Sequence, residues 1–233
     1  VHRRLPTSIT IGIQSVDETL REAREFVQAG FRVIKLKTGN SVEEDIETVL
    51  RLRETIGADI QLRIDANQGY SAADLRRFAA ATRQQDIEFY EQPLPPEHLD
   101  ALRALPESLR LQCAADEDLH GPADALALAA PPRPYGIFNI KLMKCGGIAP
   151  AGEVAQTAHR AGIDLMWGCN DESIVSITAA LHAALASPAT RYLDLDGSFD
   201  LARDLVEGGF VLQDGFLETG PGAGLGVRLL EAP

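Results

Sequence analysis

Short runs of β-branched and aromatic residues alternate along this chain with longer stretches whose apolar positions recur every three or four residues. The first such run is Ser8 to Ile13, and the first helical stretch is Asp17 to Ala29, with Leu20, Ala23 and Val27 on one face. Further strands are predicted at Val33 to Lys37, Gln61 to Asp65, Ile87 to Glu91, Leu111 to Ala114, Ile137 to Lys141, Asp164 to Trp167 and Tyr192 to Asp194. Helix starts carry their own signal. Ser15 with Glu18, and Ser41 with Glu44, have the spacing of a capping box. Strands joined through helices by short connections predict a parallel sheet, and eight such units predict closure into a TIM-type (β/α) barrel of the α/β class. An open doubly wound sheet is the alternative. It fits less well, because no GxGxxG follows the first strand and polar residues recur at many strand ends rather than at one switch point.

Composition narrows the picture. A chain of 233 residues, 45% hydrophobic, suits one barrel domain over 1–233, with a Gly-rich tail from about 198 onward that has no helical period. That tail is expected to run over the barrel or onto a partner. A net charge of −12 repels phosphate backbones and anionic lipid, so no nucleic-acid or membrane partner is expected. No apolar run reaches the ~20 residues of a spanning helix, the first six residues lack the apolar stretch of a signal peptide, and a cytoplasmic location is expected. Cys113, Cys145 and Cys169 lack CxxC spacing and read as small buried hydrophobes, and none of the five histidines has metal-ligand spacing. Pro131, Pro132 and Pro134 fit a loop before the sixth strand.

Candidate chemistry lies at the strand ends. Lys37, Asp65, Glu91, Asp116 and Lys141 follow one another at intervals of 28, 26, 25 and 25 residues, about one βα unit each. Active sites of barrels form at the C-terminal mouth, so this spacing gathers three carboxylates and flanking lysines around one axis. An oxygen-only site suits Mg²⁺ better than Zn²⁺. Lys35 and Lys37 are two apart on a strand and point to the same side, and a lysine beside like charge can act as a base at neutral pH. Lys141, from a strand roughly opposite in a barrel, would reach the other face of a substrate. Lys144 competes for that role but reads as a loop or helix-entry charge.

The segments VIKLKTG, RIDANQGY, FYEQPL, AADEDL and NIKLMKCGGI resemble the barrel motifs of the enolase superfamily, in its muconate-lactonizing subgroup. The resemblance covers nearly the whole chain and implies a modified (β/α)7β-like barrel. It implies Asp65, Glu91 and Asp116 as ligands of one Mg²⁺ per barrel, Lys37 and Lys141 as the acid/base pair, and Lys35 as partner of the substrate carboxylate. Asn67 and Glu117 would support the ligands from behind. The implied reaction is removal and return of a proton α to a carboxylate through an enediolate. The superfamily's N-terminal capping domain is not represented in these residues and is expected in the full-length protein, with a homo-oligomer possible.

Within the subgroup, Asp194 and Asp196 decide the substrate class. Two aspartates at i and i+2 beyond the eighth strand can project together and want a cation. They resemble the Asp-x-Asp element with which dipeptide epimerases hold an α-ammonium group, so a dipeptide is the expected substrate. Asn170 and Asp171, beyond the seventh strand, lie where the subgroup shapes its side-chain pocket. There Asp171 and Glu172 either begin a helix or favour a basic dipeptide. An N-acylamino-acid racemase, an o-succinylbenzoate synthase or a cycloisomerase would use the same lysines, but their substrates lack a free α-ammonium group. A non-catalytic uncapped barrel is the remaining alternative.

Overall fold

The computed structural model describes residues 1–230, and these divide into two compact units. One unit takes in Ile9–Asp118 and Ala130–Ile137, the other Val1–Ser8, Leu119–Ala129 and the chain from Phe138 onward. The first strand, β1 (Arg4–Pro6), belongs to the second of these.

In the first unit, β2 (Ile9–Ile11), β3 (Val33–Lys37), β4 (Gln61–Asp65), β5 (Ile87–Glu91) and β6 (Cys113–Ala115) pair in parallel in chain order. Helices α1 (Val16–Gln28), α2 (Val42–Ile56) and α3 (Ala72–Ala81) connect the first four. The predicted caps start α1 and α2. Ser15 and Glu18 make the full reciprocal box, whereas Ser41 accepts from the Glu44 N–H. Ser71 and Asp74 form a further box at α3 that the sequence reading did not single out. Arg53, on the last turn of α2, donates to the carbonyls of Gly57, Ile60 and Gln85, closing the helix end onto the turns that lead into β4 and β5.

The fifth predicted strand shifts. Leu111 ends the short helix α5 (Glu107–Arg110), which follows α4 (Leu99–Arg103), and its N–H donates to the Glu107 carbonyl. Pro106 ahead of that turn favours a helical start, so the strand begins only at Cys113. The pairing of β4 with β5 is irregular: Leu62 stands opposite Ile87, but Ile64 stands opposite Tyr90. One extra residue in β5 shifts the phase, and Glu91 therefore aligns with Asp65.

The second unit holds α6 (Pro122–Ala129), most of β7 (Ile137–Ile140), α7 (Leu142–Cys145), α8 (Ile148–Ala161), β8 (Asp164–Trp167), α9 (Ile174–Ala186) and β9 (Thr190–Leu193). Strands β8 and β9 pair in parallel, again with one extra residue in the later strand. The Gly-rich tail is more regular than its composition suggests. It contains β10 (Val206–Gly208), β11 (Phe210–Gln213), β12 (Phe216–Thr219) and β13 (Val227–Leu229). β12 pairs antiparallel with both β11 and β1, so the tail is tied to the first residues of the chain. Among the described residues no helix is long and apolar enough to cross a membrane.

The loops after β3 and β4 touch backbone to backbone. A Cβ at Gly69 would run into the Gly39 backbone, and Gly39 itself has φ +112. Gly69→Ala should therefore destabilise the fold by about 1–3 kcal/mol through overpacking, measured as a fall in the urea midpoint at unchanged slope. A midpoint equal to the parent's would show that this contact is slack.

Candidate active site

Alternation along β3 points Lys35 and Lys37 to one side, and both reach carboxylates. The Lys35 ammonium lies 3.1 Å from Asp65 Oδ2 and 2.8 Å from Glu91 Oε2. Lys37 Nζ donates to the same Asp65 oxygen at 2.7 Å and to Asn67 Oδ1 at 2.6 Å. Asp65, Glu91 and Asp116 are 1%, 0% and 3% exposed, and Lys37 is the accessible member at 29% for its side chain. Asn67, in a left-handed conformation with φ +42, donates its N–H to Asp65 Oδ1 and its amide to Glu117 Oε1 at 3.5 Å. Thus the structure brings Lys35, Lys37, Asp65, Glu91, Asn67 and Glu117 together within the first unit.

Asp65 and Glu91 converge on one cation, here an ammonium. Among the described residues no three His, Cys, Asp or Glu side chains converge as a ready-made metal set. The chemistry of the donors nevertheless fits a hard divalent ion, because all three acids are buried, supply oxygen only, and leave water when they enter the strand ends. Gln92 and Tyr135, which the sequence reading did not single out, close the arrangement behind Asp116. The FYEQPL motif contained the glutamine, but an amide at a strand end carries no charge signal.

In the second unit, the buried Lys141 follows β7 and donates to Asn170 Oδ1 at 3.3 Å. Asn170 in turn donates its amide to the Met143 sulfur. Lys144 lies within α7, and its Nζ is turned back to the Asn139 carbonyl at 3.3 Å. Asp194 and Asp196 lie just beyond β9 and are buried, at 2% and 6% exposure. Ser8 Oγ donates to Asp194 Oδ1 at 2.6 Å, and the Asp194 N–H extends the ladder to the Trp167 carbonyl. Gly197 passes so close to the Asn170 carbonyl that a Cβ has no room. Glu172 is occupied locally, accepting from the Asn170 N–H and the Ser176 hydroxyl, whereas Asp171 is exposed.

Cys169 departs from the bland reading given to the cysteines. Its Sγ donates to the Asp194 carbonyl at 3.2 Å and accepts from the Gly197 N–H at 3.3 Å, joining the segments beyond β8 and β9. Spacing in the sequence offered no sign of this, because the contacts join groups 25 and 28 residues apart.

The enolase C-terminal domain-like family matches residues 18–232, and the chain belongs to that family. Its fold class is α/β of the TIM type, as the strand–helix alternation predicted. A relative from Desulforapulum autotrophicum, named L-Lys-D/L-Arg epimerase, is 59% identical over 228 residues, 98% of this chain and 64% of its own length. A hydrophobic dipeptide epimerase from Enterococcus faecalis is 39% identical, covering 95% of this chain and 63% of the relative. The solved dipeptide epimerase from Methylococcus capsulatus, complexed with Mg and the dipeptide L-Arg-D-Lys, superimposes with a TM-score of 0.95 at 59% identity, over 97% of this chain and 64% of that one. This chain thus spans somewhat under two thirds of the length of the relatives it matches.

Burial, and then the charges of Asp196 and Asp194, push the Cys169 thiol well above its ordinary range. The thiolate is the reactive form, so iodoacetamide at pH 8 should modify Cys169 at least about tenfold more slowly in the folded chain than in urea. Peptide mass mapping reads the rates, and equal rates in the two states would contradict the packing described.

Proposed function

We propose that the protein containing this chain is a Mg²⁺-dependent epimerase that inverts the α-carbon of the C-terminal residue of a dipeptide. The observation that carries the proposal is the buried carboxylate pair Asp194 and Asp196, held at the end of β9 by Ser8 and Cys169. Such a pair is suited to an ammonium group, which a free dipeptide has and an acylated amino acid lacks. Asp65, Glu91 and Asp116 would hold the metal. When bound, Mg²⁺ supplies fixed positive charge against the substrate carboxylate as the α-proton leaves.

The chain's own residues do the remaining work. Lys35 orients the substrate carboxylate. Lys37 and Lys141 each exchange a proton with one face of the α-carbon, one removing it and the other returning it. Asn67 and Asn170 hold the two lysine nitrogens, at 2.6 and 3.3 Å. Asn170 and exposed Asp171 border the place where the substrate side chain would lie, and Asp171 favours a basic one, in keeping with the names of the relatives at 59% identity. Glu172, already engaged by Ser176, is less available for that role. Closure by a capping domain belongs to the same proposal, since the chain spans only 64% of the first relative's length, and so does assembly into a homo-oligomer.

The decisive experiment incubates the full-length protein and Mg²⁺ with Lys- and Arg-containing dipeptides in deuterated water, following deuterium uptake and stereochemistry together. Both should change, and exhaustive chelation should stop both. Lys37→Ala and Lys141→Ala should each lose epimerisation while retaining exchange of the epimer served by the surviving lysine. Full activity after chelation, or equal loss of both exchanges in both variants despite intact substrate binding, would remove the two-base, metal-assisted reading.

Asp194→Asn and Asp196→Asn test the substrate class. A charge-assisted hydrogen bond is worth roughly 1.5–3 kcal/mol, so kcat/KM on free dipeptides should fall about ten- to hundredfold. Turnover of an N-acetylated dipeptide, which has no ammonium group, should stay nearly unchanged. Equal losses on both substrates would mean that the pair supports the loop instead, and an N-acylamino-acid racemase would then be the better reading.

A further inference from the structure

Gln92 follows Glu91 at the end of β5, has no exposure to water, and adopts φ +30, a left-handed conformation that a glutamine takes up only when its surroundings hold it there. Its carbonyl oxygen Oε1 accepts from the Asp116 N–H at 3.0 Å and from the Asp118 N–H at 3.2 Å. Its amide nitrogen donates to the Leu94 carbonyl at 2.9 Å and lies 3.1 Å from both Asp118 Oδ2 and the Tyr135 hydroxyl, which itself donates to Asp118. The opposite amide orientation would set an NH₂ against two N–H donors, so the network admits one arrangement. The backbone of Gln92 is engaged as well, its N–H donating to the Ala114 carbonyl and its carbonyl accepting from Gln68.

We propose that Gln92 is the positioning residue of the metal site. It clamps the backbone at Asp116 and so fixes the third carboxylate relative to Glu91 before a cation arrives. A strand ends at Ala115, and Asp116 lies beyond the ladder that would otherwise orient it. The side chain of Gln92 replaces that ladder, linking the ends of β5 and β6 through two N–H groups rather than through strand pairing. Burial makes the arrangement rigid, because every polar atom of the amide is engaged where water cannot compete. The inference rests on the reading of Asp65, Glu91 and Asp116 as metal ligands.

The test compares Gln92→Met and Tyr135→Phe with the unaltered full-length protein, measuring Mg²⁺ affinity by calorimetry and Tm by circular dichroism. Residues that orient metal ligands from behind typically cost ten- to hundredfold in affinity when removed. Gln92→Met should therefore weaken Mg²⁺ binding at least about tenfold. Tyr135→Phe, which leaves the bonds to the Asp116 and Asp118 N–H groups in place, should lower Tm but keep affinity within about twofold. Mg²⁺ affinity of Gln92→Met within twofold of the parent, or an equal loss in Tyr135→Phe, overturns the assignment. Amide hydrogen exchange on the unaltered protein gives a second readout should Gln92→Met fail to fold. The Asp116 N–H should be protected in the metal-free protein, and exchange at the rate of an open peptide there overturns the proposal. Because neither measurement needs a dipeptide, the two failures are distinct. An unaltered protein that binds no Mg²⁺ removes the metal-site reading and this inference with it, whereas normal binding with an inert Gln92 removes the inference alone.

Discussion

The ammonium of Lys35, wedged between two carboxylates that water barely reaches, is the contact on which the strand ends of the first unit depend. Taking a carboxylate out of water costs several kcal/mol, recovered only when an opposite charge is close and the remaining lone pairs are engaged. Asp65 has Lys35, Lys37 and the Asn67 N–H against it, and Glu91 has the Lys35 ammonium. The irregular pairing in β5 is what makes the arrangement geometrically available. Without the extra residue, Tyr90 rather than Glu91 would stand opposite Asp65 and the acid would point out of the unit.

Much of this was legible in the sequence because regular spacing is a projection of regular topology. Lys37, Asp65, Glu91, Asp116 and Lys141 sit at near-equal intervals since each βα unit consumes about the same length of chain, and the structure sets every one of them at or just past a strand end. The alternation of Lys35 with Lys37 followed from the two-residue period of a strand, and both do reach Asp65.

What escaped the sequence reading shares a physical cause. Gln92, Tyr135 and Cys169 are uncharged at neutral pH and act through hydrogen bonds to partners 17 or more residues away in the chain, so neither charge nor period marks them. The apolar neighbours of Leu111 suggest a strand start, but Pro106 biases the local backbone to a helical turn that consumes it. The tail shows no helical period, and its glycines gave no sign of the short strands it forms. Several of those glycines instead supply the positive φ values at the turns between short strands, as at Gly208, Gly209 and Gly215.

Two parts of the proposed site differ in how far apart along the chain their components lie. Lys35, Lys37, Asp65, Glu91, Asn67 and Glu117 come from one continuous stretch, whereas Asp194 takes its hydrogen bond from Ser8, 186 residues earlier, and β1 finds its partner in β12. Closing so long a loop is entropically dearer and slower than pairing neighbouring units. During synthesis, the carboxylate cluster can assemble while the chain is still growing. Ser8 must wait for Asp194, made 186 residues later, so on the proposed function the elements that would hold a cation form well before those that would hold an ammonium group.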